Sequence, residues 1–405
     1  MNNVIIIGGG ASGLCAAVMA AKNGATVRVI EHKDRVGKKI LMTGNGRCNL
    51  TNEDISPGKY YSDETGFAWQ VISNFDLENT FDFFEYSGIT YKSKNGYIYP
   101  RCAQASVVLD LLRAKCRELG VRILCDMDVE KINYDDHNFT IYANEQILKS
   151  DRLILALGGK SYKKTGSDGS GYKLLKNTPH KFSPMLPALT GLISKDDFFK
   201  MIAGVRCDGK VSFFINNKNF YCETGEIQFT EYGLSGIPVF NGSRYISQAL
   251  NKKEKCCVSI DLFPEKSEDE VRLLLKEKIK LNPGYIISEQ LNGFLNKKIS
   301  LCILKILKIN QNKPSCDISE NEIRIITEKI KNLKTDIINV KSFDTAQITT
   351  GGVLTKDISP DTLESKFIKG LYITGEMLDV DGMCGGYNLQ FAWSSGALAG
   401  KNAAG

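Results

Sequence analysis

The sequence holds no C-x-x-C pair, and its three histidines, His32, His137 and His180, stand far apart. Zinc fingers, iron–sulfur ferredoxin patterns and C-x-x-C dithiol chemistry are therefore not expected, and no metal site is predicted. No apolar run approaches the roughly 20 residues that a membrane span needs. The opening apolar run has neither a basic flank nor a cleavage-like site, so it reads as a strand and not as a signal peptide. The twelve cysteines are scattered through 405 residues and several fall in predicted strands and helices. They read as reduced thiols of a cytoplasmic protein. A net charge of +6 suits anionic small molecules but is too weak to make nucleic acid an expected partner. With 42% hydrophobic and 24% charged residues the composition is that of a globular protein, long enough for two or three domains.

What is present begins at once. Val4 to Ile7 run into Gly8-Gly9-Gly10-Ala11-Ser12-Gly13, an Ala- and Leu-rich stretch to Asn23 is stopped by Gly24, and Glu31 closes a second apolar run. Strand, glycine turn, helix, strand and acid in this order are a dinucleotide-binding fingerprint. Gly8 permits the tight turn, Gly10 the close approach of a pyrophosphate, and Gly13 the packing of helix on sheet. The free N–H groups of the helix start, opened by Ala11 and Ser12, attract phosphate without a lysine, and Glu31 accepts hydrogen bonds from a ribose.

Two further strand-to-glycine junctions follow. Arg152 to Leu157 end in Gly158-Gly159, and Gly370 to Thr374 end in Gly375-Glu376, with Gly385-Gly386-Tyr387-Asn388 opening a helix from Leu389 to Ala399. Ligands of open α/β sheets collect at the carboxyl ends of strands, so the three junctions converge on one long ligand. That favours non-covalent FAD over NAD. The first turn would take its pyrophosphate, and the last helix would aim N–H groups at the flavin ring where charge builds on reduction. The expected cofactor contacts are Gly8, Gly10, Ala11, Ser12, Gly13, Glu31 and His32 from the N-terminus, Ala156, Gly158 and Gly159 from the middle, and Gly375, Glu376, Gly385, Gly386, Asn388 and Leu389 from the C-terminus.

Between these junctions helical patterning is predicted near Gly66 to Ser87 and again from Ser106 to Leu119, with a strand at Val121 to Leu124, and Phe139 to Tyr142 at one edge of a small antiparallel set. The Lys38 to Asn52 segment reads as a polar loop. From about 182, short strands at Val205 to Phe214, Asn219 to Cys222 and Glu226 to Thr230 suggest a small barrel. Ser267 with Glu270 and Ser319 with Glu322 are capping-box pairs ahead of helices, and the lysines between 252 and 334 read as solvated helix faces. The predicted division is 1–185 for the first part of the nucleotide domain, 186–263 for an inserted β-barrel, 264–334 for a helical insert, 335–350 for the return through the barrel, and 351–405 for the rest of the nucleotide domain.

Four motifs carry a resemblance that covers the whole chain: Lys38 to Asn52 (KKILMTGNGRCNLTN), Phe229 to Pro238 (FTEYGLSGIP), Thr349 to Val353 (TTGGV) and Leu371 to Gly400 (LYITGEMLDVDGMCGGYNLQFAWSSGALAG). The chain resembles the BaiN/YhiN-type flavoproteins, also known as an aminoacetone-oxidase family of NAD(P)/FAD-dependent oxidoreductases. The resemblance implies a glutathione-reductase-like FAD-binding Rossmann domain, discontinuous in sequence, with an inserted β-barrel and a small helical domain. It implies chemistry on the carbon–carbon double bonds of oxo-bile-acid intermediates or of other substrates not yet assigned. It places Glu31 on the adenosine ribose, Lys39 beside the adenosine half, Val129 against the adenine, and Gly46, Arg47 and Cys48 along the pyrophosphate towards the ring. Glu376 then holds the ribityl or pyrophosphate region and Asn388 the flavin edge. Glu231 departs from the histidine or aspartate of many relatives, which leaves a proton-transfer role at that position open.

Cys48 stands where disulfide reductases carry a cysteine pair, but the residue five positions on is Glu53, so no dithiol relay is available. Cys48, as a lone thiol near the flavin, and Tyr387, as a proton donor or orienting hydroxyl, are the candidate catalytic residues. No second G-x-G-x-x-G is present for a dedicated NAD(P)H domain, so NAD(P)H docks transiently or another donor serves. The mechanism expected is hydride transfer through flavin N5 to a small or steroid-like enone bound between barrel and flavin. The rivals are a flavin oxidase acting on an amine, an RNA-binding, tRNA-modifying flavoprotein, and a flavin-dependent structural or sensing protein with no turnover.

Overall fold

The computed structural model describes residues 2–135 and 138–405; His137 lies outside them. The chain forms two compact units, Met1–Leu186 with Phe343–Gly405, and Pro187–Ser342.

In the first unit five parallel strands are ordered Leu371–Ile373, Arg152–Leu155, Asn3–Ile7, Thr26–Ile30, Arg122–Leu124. Asn3–Ile7 is the middle strand, and Val4, Ile5 and Ile6 have no exposed surface, as a strand covered on both faces requires. The N-terminal helix Ala11–Lys22 and the C-terminal helix Tyr387–Ala404 pack against each other. The last strand and last helix thus complete a unit begun by the first ones, and the three glycine junctions end up beside one another.

Several local elements differ from the sequence pattern. The stretch from 66 to 87 is two helices, Phe67–Asn74 and Leu77–Tyr86, because Phe75 leaves helical geometry and Asp76 caps the second helix in a reciprocal box with Asn79. Asn138–Ala143 is the central strand of its three-stranded sheet, not an edge: Val129–Asp135 and Gln146–Ser150 flank it. The Lys38 to Asn52 segment contains a 3-10 stretch, Ile40–Gly46, broken at Thr43, Gly44 and Asn45, and a two-residue strand Thr51–Asn52.

The second unit contains a closed six-stranded barrel ordered Leu192–Ser194, Gly233–Gly236, Lys218–Thr230, Arg206–Ile215, Cys256–Asp261, Leu333–Val340. Asn219 to Cys222 and Glu226 to Thr230 are one strand, since the intervening Glu223, Thr224 and Gly225 keep their ladder with Val211, Lys210 and Gly209. The helices Glu268–Leu281, Ile287–Asn292, Lys297–Ile306 and Glu320–Lys331 lie between two adjacent barrel strands, and both predicted capping boxes form. Val271, Leu275 and Ile326 from these helices share one core with Val258 and Ile260 of the barrel. The helical insert is therefore packed onto the barrel and does not form a separate unit.

Candidate cofactor site

The first glycine turn forms as its sequence requires. Gly8 has φ +104° and donates to Ile30 O at 2.8 Å, and a Cβ there would lie 2.4 Å from Ala156 O. Gly10 is the N-cap of the first helix and no side chain caps it. Nothing stands within 4 Å of where its Cβ would be, because it faces a cavity. The uncapped N–H groups of Ala11 and Ser12 border the same space, so the positive end of a 12-residue helix is directed at whatever fills it.

Glu31 is buried in the cavity wall. One of its oxygens accepts from Gly9 N and the other from Lys33 N, both at 2.9 Å. Those two bonds fix the carboxylate and leave each oxygen a lone pair for a ribose hydroxyl. His32, Val129, Ala156 and Gly158 line this end too, with Met127. Further along, Lys39 Nζ and Glu376 Oε2 form an ion pair at 2.5 Å, and Glu376 Oε1 accepts from Thr349 N at 2.8 Å. Val380, Asn388, Leu389 and Phe391 line the same cavity. Asn388 exchanges two 2.8 Å hydrogen bonds with the backbone of Gly382, which holds the loop before the last helix.

The sequence did not single out Gly166-Ser167 or Ser170-Gly171, which also wall the cavity. Their signal is the glycine-rich run Gly166 to Gly171, beyond the strand that ends at Gly158. Ser167 Oγ and His32 Nε2 are buried and make no hydrogen bond among the described residues. Buried polar atoms without partners are costly, so two of them in one cavity wall match a ligand that bonds them. The cradle at Gly10, the helix N-terminus, the fixed carboxylate and these two atoms together fit a dinucleotide such as FAD.

Other expected residues are not brought to the cavity wall. Gly13 and Gly375 stand behind it, each against neighbouring atoms of the glycine turn or first helix. Gly159 packs on Thr349 and Glu376, and Gly385 and Gly386 pack on Tyr97 and Thr51. The break at Thr43 to Asn45 turns Gly46 and Arg47 to the surface, where the Arg47 guanidinium lies 5.4 Å from the centre of the Tyr99 ring. The Arg47 side chain thus braces its own loop. Tyr387 is buried edge-on to Tyr60 at 5.9 Å and is not part of the wall. Glu231 is exposed in a turn of the second unit. Among the described residues no cluster of three or more His, Cys, Asp or Glu could hold a metal, and no helix is long and apolar enough to cross a membrane.

Cys48 is likewise absent from the cavity wall. It has no exposed surface, and burial pushes its thiol up to about 12, against a smaller opposing effect of a hydrogen bond with Thr43. We expect a thiol so held to stay protonated and unreactive at neutral pH. Iodoacetamide labelling of the native protein is expected to modify the exposed Cys102, Cys222 and Cys316 and to spare Cys48. Cys48→Ala is expected to keep its flavin and its rate of flavin reduction within about twofold; prompt labelling of Cys48 on peptide mapping would restore it as a reactive group.

The family model for the HI0933-like protein Rossmann domain matches residues 2–402. The chain is similar to the 3-dehydro-bile acid delta(4,6)-reductase of Clostridium scindens, 43% identical over 406 aligned positions that cover 100% of this chain and 99% of that one. It is similar to the ribosomal RNA dihydrouridine synthase of Haemophilus influenzae, 31% identical with 96% of each chain covered. The enzyme of the same description from Escherichia coli is 28% identical, with 97% of this chain and 96% of that one covered. With a single family model matched along nearly its whole length, and a glycine turn, acid and closing helix assembled as the FAD-binding Rossmann fold requires, the chain belongs to the HI0933-like family.

Proposed function

We propose that the protein is an FAD-dependent reductase of a carbon–carbon double bond conjugated to a carbonyl, acting on a steroid-like enone with NAD(P)H as reductant. The observation that carries this is one cavity that runs from Glu31, past the uncapped start of the first helix, to Asn388 and Leu389. It lies in a chain aligned end to end with a bile-acid delta(4,6)-reductase. Bound there, FAD supplies a carrier that takes up and delivers two electrons as hydride. Glu31 accepts hydrogen bonds from the ribose, and the Ala11 and Ser12 amides hold the pyrophosphate. Lys39 balances the Glu376 carboxylate, so that wall of the cavity adds no net charge against the phosphates. Asn388 fixes the loop at Gly382, which sets where the last helix presents its N-terminus. Saturating the bond adds a hydride to the carbon β to the carbonyl and a proton to the α carbon.

A second reading is favoured by the two ribosomal RNA dihydrouridine synthases. Dihydrouridine is uridine saturated at C5–C6, and that bond is conjugated to the C4 carbonyl, so the bond class is the same. Anaerobic titration of the purified protein with NADH and NADPH, followed by a 3-oxo-Δ4 steroid, tests the first reading. Bleaching by one nicotinamide and recovery of colour on adding the steroid are expected. A bleached flavin that the steroid leaves reduced, but that uridine-containing RNA reoxidises with gain of two hydrogens, would transfer the assignment to the second reading.

A further inference from the structure

The second unit carries lysines held in ion pairs and lysines that are exposed without one. Along the helices Lys276 pairs with Glu320, Lys313 with Glu322, Arg324 with Glu328, and Lys331 with Asp261, while Lys280, Lys297, Lys305 and Lys308 are exposed with no ion pair among the described residues. At one end of the barrel, unpaired lysines are brought together beside an exposed aromatic ring. The strands Arg206–Ile215 and Lys218–Thr230 are joined by Asn216 and Asn217, both at positive φ. This hairpin tip is tied to the turn that follows the helix Ile237–Asn251. Asn216 N donates to Lys255 O at 2.9 Å, Lys255 N to Asn216 Oδ1 at 3.2 Å, and Asn216 Nδ2 to Glu254 Oε1 at 3.2 Å. The bonds gather Lys218, Lys252, Lys253 and Lys255 at one place. All four are exposed, and among the described residues none has an ion-pair partner. The one acid of the turn, Glu254, is engaged by Asn216.

Aromatic rings occupy the same end. Phe220, four residues past Asn216, is 57% exposed, and its ring lies 4.9 Å from that of Tyr245 on the helix leading into the lysine turn. Tyr245 also meets Tyr221 at 5.4 Å, and the Arg244 guanidinium stands 5.1 Å from the Tyr245 ring centre. Phe220 is thus an open ring at the edge of a tilted aromatic cluster, on a strand that also carries the exposed Asn219, with Asn216 and Asn217 in the turn before it.

We propose that this end of the barrel is a docking surface for single-stranded RNA. The proposal rests on the second reading above, and it gives that reading a place to hold the substrate strand. Lysines without acidic partners neutralise phosphates and release counterions, whatever the sequence. An exposed ring backed by other rings accepts an unstacked base, and asparagine amides reach base edges and ribose hydroxyls. A protein partner would have to supply several carboxylates together with a slot for one ring. A membrane surface would gain little from a single exposed phenylalanine. A strand carrying one phosphate and one π-face per nucleotide meets both features at once.

The test uses the flavin-loaded protein and a fluorescein-labelled, uridine-rich single-stranded RNA, followed by anisotropy across a salt series. The variants are Phe220→Ala and the triple replacement Lys252→Ala, Lys253→Ala, Lys255→Ala. The triple variant is expected to lower the slope of log K against log salt by about 2, at about 0.7 for each phosphate that is no longer neutralised. Phe220→Ala is expected to weaken binding at least about fivefold with the slope unchanged. Both should keep their flavin and its bleaching by nicotinamide, since no replaced residue lies in the unit that holds the cofactor cavity. RNA binding that ignores both variants overturns the proposal, as does preference for phosphatidylserine vesicles over RNA. Binding sensitive to both variants without uridine reduction supports the surface and removes the second reading. Uridine reduction with binding indifferent to both variants keeps that reading and removes the surface.

Discussion

Gly10→Val is expected to yield a folded protein that purifies without flavin colour. Gly10 is extended, with φ −79° and ψ −165°, a geometry that valine adopts without strain, and its Cβ would meet no protein atom within 4 Å. The open space is the cavity itself, beside the N–H groups of Ala11 and Ser12. The branched side chain therefore occupies the volume of the pyrophosphate and leaves the fold untouched. Circular dichroism of the variant should match that of the flavin-stripped parent. Adding FAD at about 100 times the parent's Kd should raise the parent's stability by about 2.7 kcal/mol and leave the variant's unchanged. A yellow Gly10→Val protein would move the cofactor away from this turn. Gly13→Ala makes the contrast: its Cβ would fall 1.9 Å from Gly8 O, so it damages the turn itself and should lower stability even without flavin.

These two glycines also show what the sequence could and could not convey. Gly8, Gly10, Glu31 and Gly158 all border or shape the cavity because strand-end geometry is local: a buried parallel strand ends in a turn whose conformation a few neighbouring residues decide. The Lys38 to Asn52 segment does not follow such a rule. Its path depends on left-handed geometry at Gly44 and Asn45 and on contacts with Asn49 and Tyr99, so Ile40 and Thr43 reach the wall while Arg47 and Cys48 do not. A shared motif says that a segment is constrained, not which of its side chains faces the ligand. Ser167 and the second nitrogen of His32 become visible only when burial is known, because a polar atom is informative when water and protein partners are both missing. The barrel was legible as a change of period, but its longest strand was not, since Glu223, Thr224 and Gly225 look like a turn and are held straight only by the facing strand. The lysine cluster of the second unit lies at the same level: only folding, through the bonds of Asn216 to Lys255 and Glu254, brings Lys252, Lys253 and Lys255 beside Lys218 at the hairpin tip.

Replacing both Gly396 and Gly400 by alanine is expected to destabilise the first unit by about 3 kcal/mol or more, beyond the usual cost of one overpacked methylene. These residues are four apart on the C-terminal helix, on the face that crosses the N-terminal helix. A Cβ on Gly396 would lie 2.3 Å from Ser12 O, and one on Gly400 2.3 Å from Ala16 O. Ser12 and Ala16 are themselves four apart, so two backbones meet along one ridge with no flexible side chain between them to give way. Relief requires the helices to separate. Separation would break the hydrogen bond that Cys15 Sγ donates to Trp393 O and would carry Asn388 and Leu389 away from the turn at Gly10, so stability and cofactor affinity should fall together. For a unit of this size the loss corresponds to a melting temperature lower by roughly 10 °C, with weaker retention of FAD on gel filtration. Gly58→Ala is the control: no atom stands within 4 Å of its Cβ position and its φ is not positive, so its melting temperature should stay level or rise slightly. A double variant that melts with the parent would mean that the two ends of the chain are not held together by this crossing, and the closure of the cofactor unit would have to be sought in the strand pairing of Leu371–Ile373 alone.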